Sequence, residues 1–503
     1  MSPGAGVQIR DVSQVPLRPR IAPQSSSGYL GGQRALGGLL ASTTGFRNEI
    51  GRNPQNRQAI QGSAGLLPPG NAMSDGKVQK RSFRAPRGLR DVLPEEIGVW
   101  NRLEQVARDL AGRRGFNEIR TPLLEETELF KRSVGEVTDI VEKEMFTMER
   151  GEHSFTLRPE GTAGIARAYL QAGYAKRAPV QKLFLMGPMF RYERPQKGRE
   201  RQFTQFDVEL LGSLDPRADA EVMHLAASFF EELGLEGLEL RMNSMGDGDD
   251  RDRYRDAVRE FLSPKMKDHC ELCQSRFTRN VLRVLDCKVP KCQELQVGAP
   301  VILEFLSDEN REHFEQVESH LRAIGRRVVV DPGIVRGLDY YTRTVFEVHY
   351  PALGARSALC GGGRYDHLLS DLGGPDLPAV GFAIGFTGTL IVLEELGLKA
   401  GLVDSVPEVF VASADDAGRD EVFKVAEELR AAGIGAVFDM ESRSMKAQMK
   451  IAGKAGHRLA VIVGNDEIER GVVMLKQLDA REQGEVERKA LVASIQQALQ
   501  ANS

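Results

Sequence analysis

The sequence has no run of about 18 apolar residues, which excludes a membrane-spanning helix and sets the expectation of a cytoplasmic protein with no membrane partner. It has no surplus of positive charge either. The formal net charge is −4, so any nucleic-acid partner has to be held by local basic patches rather than by the field of the whole molecule. Cysteine is scarce and odd in number: there are five, all between Cys270 and Cys360. With no secretory signal ahead of them, that pattern argues against a disulfide framework and for reduced thiols. Internal repeats are absent.

Acidic residues are nearly missing from positions 1–72, which hold only Asp11 and Glu49 among Gly, Ser, Pro, Gln and Arg. Without apolar periodicity such a segment cannot bury a core, and disorder is expected. Met73-Ser74-Asp75-Gly76-Lys77 reads as a natural start. Residues 1–77 are therefore set aside as a disordered tail or an over-extended start, with an organelle leader as the other reading. The remaining length suits about three domains.

From Pro94 the pattern changes. Pro94-Glu95-Glu96 is a helix start, and Trp100, Leu103, Val106, Ala107 and Leu110 recur at helical spacing until Gly112 and Gly115. Strands read at Phe116–Arg120, Gln181–Met186, Gln205–Leu211, Leu238–Met242 and Thr344–Val348, with a helix near Glu221–Leu233. Clustered strands with few interposed helices predict an α+β fold with an antiparallel-sheet core over 78–246 and 328–398. The charged, mostly helical stretch 247–327 holds four of the five cysteines and reads as an insertion. After a linker at 399–407, residues 408–503 alternate strand and helix (Val409–Ala412, Asp420–Ala432, Ala436–Asp439, Met445–Gly453, Leu459–Val463), which predicts a small α/β domain with a parallel sheet.

The densest chemistry lies in Leu157-Arg158-Pro159-Glu160-Gly161-Thr162, then in Phe190 to Arg199, then in Gln202-Phe203-Thr204-Gln205-Phe206-Asp207-Val208-Glu209. Between Arg191 and Arg201 five cations face two carboxylates, and Pro195 and Gly198 force a loop. A polyphosphate suits such a loop, because the planar guanidinium makes paired hydrogen bonds to phosphate oxygens. For a lone charge run, a solvated hairpin tip is the competing reading. Arg336-Gly337-Leu338-Asp339-Tyr340-Tyr341 and the glycine triplet Gly361-Gly362-Gly363, followed by Arg364-Tyr365, complete the set. The triplet permits close backbone approach to a ligand, though by itself it reads as a turn.

In this order the motifs resemble the histidyl-tRNA synthetases, class II aminoacyl-tRNA synthetases, from about Arg87 to Leu478. The resemblance implies a class II catalytic core with a C-terminal anticodon-binding α/β domain. It also implies ATP-dependent activation of L-histidine to the adenylate, with Mg²⁺ bound to the ATP, and transfer to tRNA(His). Pro122 matches the motif 1 proline, which implies a homodimer. Arg191 matches the arginine on the ATP α-phosphate, with Glu193 near the adenine and Arg199 on the mobile loop. Glu160, Gly161 and Thr162 match the stretch that receives the histidine α-amino group, and Gln205 and Glu209 line the same site. Arg336 matches the arginine between carboxylate and α-phosphate, Tyr340 and Tyr341 the imidazole pocket, and Tyr365 a neighbour of it.

Arg443, Lys446, Lys450 and Lys454 fall on one expected helix face, with no acid between Ser442 and Asn465. Beside the resemblance, that face implies a tRNA contact surface; alone it is equally an ordinary amphipathic helix.

Two departures stand out. In the motif 3-like stretch Val380 to Leu390, Gly388 stands where the family carries its γ-phosphate arginine, and Thr387 replaces an acid. Arg364 is the candidate to compensate. The break keeps a rival reading open, a catalytically silent paralogue such as the regulatory subunit of ATP phosphoribosyltransferase. Cys270-x-x-Cys273, Cys287 and Cys292 give one good pair and one of looser spacing than a zinc ribbon. Structural zinc and free thiols both remain open, and no metal ligand is assigned.

Overall fold

The computed structural model describes residues 83–500 apart from 136, 137, 139, 335–339, 400–405 and 481. The low-complexity leader, Arg336 and most of the expected linker lie outside the described residues.

The first helix, Pro94–Arg113, carries proline in its first turn and two acids there, Glu95 and Glu96, which suit the positive helix N-terminus. Trp100, Leu103, Val106, Ala107 and Leu110 are buried along one face of it. They pack into the main core with the helices Pro216–Glu232 and Asp308–Ala323. That last helix closes the charged stretch after Asp247, yet Phe314, Val317 and Leu321 pack into the main core.

These helices cover one face of an eight-stranded sheet. Its order is Asn117–Glu118, Gln181–Phe190, Gln202–Leu211, Ala379–Gly385, Ala358–Arg364, Thr342–His349, Glu239–Ser244, Val328–Val330. The six inner strands are antiparallel throughout, and each edge strand runs parallel to its neighbour. The two-residue period of a strand decides what faces where. In Gln202–Leu211, Phe206, Val208 and Leu210 point into the helix-covered core, so Gln205, Asp207 and Glu209 point to the opposite face. On that face the helix Thr162–Gln171 contributes Ile165, Ala166 and Tyr169 to a second, smaller core with Leu183, Leu185 and Tyr365.

The glycine triplet is a strand of this sheet rather than a turn. Its glycines are needed for close packing. A Cβ on Gly362 would come within 2.7 Å of the Phe346 ring and collide with the Gly381 carbonyl, and one on Gly381 would strike the Glu209 carboxylate. Sequence reading of glycine as punctuation fails here because interstrand crowding, which is a long-range effect, selects it.

A three-stranded antiparallel sheet, Leu124–Glu126, His153–Leu157 and Phe146–Arg150, flanks the main one. The C-terminal unit has a five-stranded sheet ordered Ala436–Phe438, Val409–Ser413, Leu459–Val463, Val472–Gln477, Gln483–Glu487. The first three strands are parallel, as expected, but the last two run antiparallel, so the sheet is mixed. The direction reverses at Val472–Gln477, which the short helix Asn465–Arg470 returns alongside Leu459–Val463, and a turn after Leu478 adds the last strand as a hairpin.

Candidate active site

The face of the sheet opposite the long helices carries a cavity of about 250 Å³ lined by Glu160, Gly161, Thr162, Arg191, Gln205, Asp207 and the rings of Tyr340, Tyr341 and Tyr365. The Glu160 carboxylate accepts the backbone N–H groups of Thr162 (2.8 Å) and Ala163 (3.0 Å), which fixes the start of the helix Thr162–Gln171. Tyr340 stacks obliquely on Tyr341, with centroids 4.7 Å apart, and meets Tyr365 edge-on at 5.4 Å. Arg191 is held by its Nε donating to the Pro159 carbonyl at 2.8 Å and by the Phe203 ring beneath its guanidinium.

Glu209 does not line the cavity. It lies behind the wall, 1% exposed, where Thr162 Oγ1 donates to one of its oxygens at 2.6 Å and the Tyr365 hydroxyl donates to the other. Burial pushes its carboxyl well above the usual range, against those two hydrogen bonds. Asp207 is different. Burial and then the charge of Glu160 hold its carboxyl well above the ordinary value, with Arg158 and Arg191 pulling the other way. Both of its oxygens, and the Gln205 amide oxygen, are buried without a donor among the described residues. Buried acceptors without partners are costly, and here three of them surround one cavity.

A second cavity, about 470 Å³, adjoins the first: Arg191 and Ile140 line both. Its wall also holds Glu193, Arg199, Glu200, Phe203, Thr387 and Gly388, together with Arg276, Arg283 and Asp286 from the stretch after Asp247. Arg199 reaches the Glu193 carboxylate at 3.4 Å. Thr387 and Gly388 lie in the first turn of the helix Phe386–Glu395, whose N-terminus has no side-chain cap among the described residues. Thr387 Oγ1 donates to Glu200 at 2.9 Å. Beside Gly388 there is open space among the described residues: a Cβ there would meet none of their atoms within 4 Å.

Arg364 does not reach this cavity. It is fully buried, with Nε on Asp219 at 3.1 Å, a second contact to the same carboxylate, and Nη1 on the Ser213 carbonyl at 2.8 Å. Burial raises the Asp219 carboxyl, but Arg364 and His313 overcome it and bring the value down to about 2. Arg364 is a structural cation and, contrary to expectation, does not stand in for an arginine at Gly388. Its strand position, with the side chain turned to the far side, decides the matter.

The expected basic face in the C-terminal unit is reduced by one member. Lys446, Lys450 and Lys454 are exposed along the helix Met445–Ala455. Arg443 precedes that helix and is bound to Asp439 at 2.6 Å and to Glu441.

Asp207, Arg276 and Arg283 were not among the candidates read from sequence. Asp207 had a signal, since it sits between Gln205 and Glu209 on the same strand face. Arg276 and Arg283 had none, because only the packing of a distant segment brings them to the cavity.

Two family models match the chain: histidyl-tRNA synthetase over residues 88–388 and an anticodon binding domain over residues 408–498. The histidine--tRNA ligase of Desulforamulus reducens is 46% identical over 412 residues, covering 82% of this chain and 98% of that protein. The crystal structure of apo S. aureus histidyl-tRNA synthetase superposes with a TM-score of 0.69 at 34% identity, covering 82% of this chain and 99% of that one. A Bacillus halodurans protein described as an ATP phosphoribosyltransferase regulatory subunit/histidyl-tRNA synthetase shares the fold, with a TM-score of 0.55 at 23% identity, over 76% of this chain and 98% of its own. The mixed helix-and-sheet architecture, the motif order and a match over 82% of the chain agree, and the chain belongs to the histidyl-tRNA synthetase family.

Proposed function

We propose that the chain activates L-histidine with ATP, giving histidyl-adenylate and diphosphate, and then transfers the histidyl group to the 3′ end of tRNA(His). The observation that carries this reading is the position of Arg191 on the wall shared by the two cavities. An α-phosphate at that wall meets the histidine carboxylate from one side and releases diphosphate into the other. A carboxylate oxygen bonds to the α-phosphorus while the bond to the bridging oxygen of the β-phosphate breaks. Both reactants are anions, so a fixed guanidinium that neutralises the charge concentrating at the α-phosphate is the main source of acceleration. Arg336, outside the described residues, is assigned to the same junction on the strength of the resemblance.

The smaller cavity takes the amino acid. The α-ammonium donates to Asp207 and Glu160, and the tyrosines Tyr340, Tyr341 and Tyr365 enclose the imidazole, with Gln205 supplying a further acceptor. Glu209 acts through Thr162 and Tyr365 as a positioning residue. Acceptors left unpaired around a wrong amino acid penalise it by a desolvation cost, and this gives discrimination without an editing site.

The larger cavity takes ATP, with Glu193 toward the adenine and Arg199, Arg276 and Arg283 around the phosphates. The Glu200 and Asp286 carboxylates line this cavity and would be the oxygen ligands available to the Mg²⁺ accompanying ATP, an ion that would neutralise phosphate charge when bound. The bare first turn of the helix Phe386–Glu395 presents N–H groups to an anion, and the space beside Gly388 leaves them accessible. Because that space is open, Gly388→Arg is expected to fold and to lower KM for ATP several-fold, as steady-state exchange kinetics would register. An unchanged KM would put the phosphates elsewhere.

The exposed Lys446, Lys450 and Lys454 meet tRNA phosphates. Replacing all three with glutamate is expected to lower kcat/KM for tRNA by roughly tenfold or more and to leave adenylation unchanged. Equal loss in both reactions would point to a folding defect instead. The apolar Leu123 and Leu124, 43% and 42% exposed beside Pro122, suit burial in a homodimer, and among the described residues no helix is long and apolar enough to cross a membrane. A cytoplasmic homodimer is the corresponding proposal.

Charging of tRNA(His) with labelled histidine tests the whole reaction. Product is expected with histidine and tRNA(His) together; a protein that binds histidine yet never charges tRNA would favour the regulatory paralogue.

A further inference from the structure

We propose that Cys270, Cys273, Cys287 and Cys292 bind one zinc(II) ion as four thiolate ligands, a structural metal site that braces the stretch between Asp249 and Leu306.

Four observations carry it. First, the four sulfur atoms lie within 4.8 Å of one another, three of the residues being buried. The Cys270 and Cys287 sulfurs are 3.9 Å apart. Four Zn–S bonds of about 2.3 Å at tetrahedral angles place sulfurs about 3.8 Å apart, whereas a disulfide needs about 2.05 Å. Second, the cluster closes on itself. Four cysteine sulfurs would fill every position of a tetrahedral ion, the arrangement of a structural site rather than a catalytic one, and soft thiolates in that geometry select zinc over hard cations. Third, the Cys270 backbone N–H already donates to the Cys292 sulfur at 3.3 Å, a contact that stabilises negative charge on a ligating thiolate.

The fourth concerns what holds this stretch together. Its own core contains eleven buried side chains, and Cys273, Cys287 and Cys292 are three of them. So small a core is weak support for several short helices, and a metal staple is the usual remedy at this size. On binding, each thiol gives up its proton to solvent as its sulfur replaces a water on the ion, so uptake releases protons and no redox partner is needed.

The ligands bracket a functional segment. Arg276 follows Cys273 in the helix Glu271–Arg279, and Arg283 precedes Cys287; both side chains line the larger cavity. The zinc site thereby fixes the two arginines relative to one another, and that consequence rests on the function proposed above. The metal assignment does not.

The test is elemental analysis of the whole protein purified under reducing conditions without a metal-affinity step. About one zinc per chain is expected. Chelator-stripped protein titrated with cobalt(II) should develop the intense thiolate-to-cobalt absorption of a tetrahedral four-sulfur site. Cys273→Ser and Cys287→Ser should each lose the zinc, while Cys360→Ala keeps it. Zinc loss should raise KM for ATP more than KM for histidine. Less than about one zinc per ten chains with no cobalt–thiolate absorption, iron in place of zinc, or full zinc retained by Cys273→Ser would each overturn the proposal. The first two readings use the unaltered chain, so misfolding of a variant does not protect it.

Discussion

Arg191→Ala is expected to lower kcat for histidine-dependent adenylation by about 10²–10³-fold, the usual cost of removing one fixed donor from a developing anion. The same substitution should leave the affinity for histidine unreduced. Arg191 faces the buried Glu160 and Asp207 carboxylates across the smaller cavity, so its removal makes the place where an ammonium binds more negative. KM for ATP should rise and KM for histidine should stay level or fall. Arg191→Lys should rescue little, because an ammonium neither forks onto phosphate oxygens nor lies flat over Phe203. Pre-steady-state measurement of adenylate formation, with histidine binding followed by calorimetry, separates these terms. A variant that loses histidine affinity but keeps the rate of adenylation would contradict the assignment of Arg191 to the α-phosphate.

The second large effect belongs to Asp207. Its carboxylate is 1% exposed, and neither oxygen has a donor among the described residues. Burial and the neighbouring Glu160 raise its pKa on folding, and the folded chain therefore binds its proton more tightly than the unfolded one. Stability linked to that proton is fully present below the ordinary carboxyl value and is lost as pH rises through the raised one. Asp207→Asn removes the titration. Ligand-free protein carrying it is expected to gain about 1–3 kcal/mol at neutral pH and to show a flatter decline of stability from acid to neutral pH in denaturant titrations. Histidine affinity should fall by about 10²-fold, since a charge-assisted contact to the α-ammonium is lost in a dry site. Gain of stability with loss of affinity is the signature of a group kept strained for binding. A variant less stable than the parent, with histidine affinity intact, would make Asp207 a structural residue instead.

The elements were legible in sequence where one period dominates. Trp100 to Leu110 repeats every three or four residues, and the helix Pro94–Arg113 buries that face. The strands and helices from Val409 to Val463 were placed within a few residues for the same reason. The strand Ala358–Arg364 was hidden, because its composition reflects contacts with Phe346 and Gly381 rather than any local preference for extended backbone. Motif order carried the family, and the cavity residues Glu160, Thr162, Gln205 and Tyr365 followed from it. Sequence alone gave no depth. It set Glu209 in the cavity wall, whereas the hydroxyls of Thr162 and Tyr365 occupy both of its oxygens behind that wall. It allowed Arg364 to reach phosphate, whereas Asp219 holds it in the core. It offered no route to Arg276 and Arg283, which a separate packing unit carries to the larger cavity.

Arg191 joins an acceptor-rich cavity to an arginine-lined one, the proposed basis of amino-acid activation. Its most direct test is ATP–diphosphate exchange by the purified chain with each of the standard amino acids in turn. Exchange with histidine alone is the result expected, with Gly388 tolerated in its place beside the phosphates. Folded protein that binds histidine but exchanges with none of them would contradict the account.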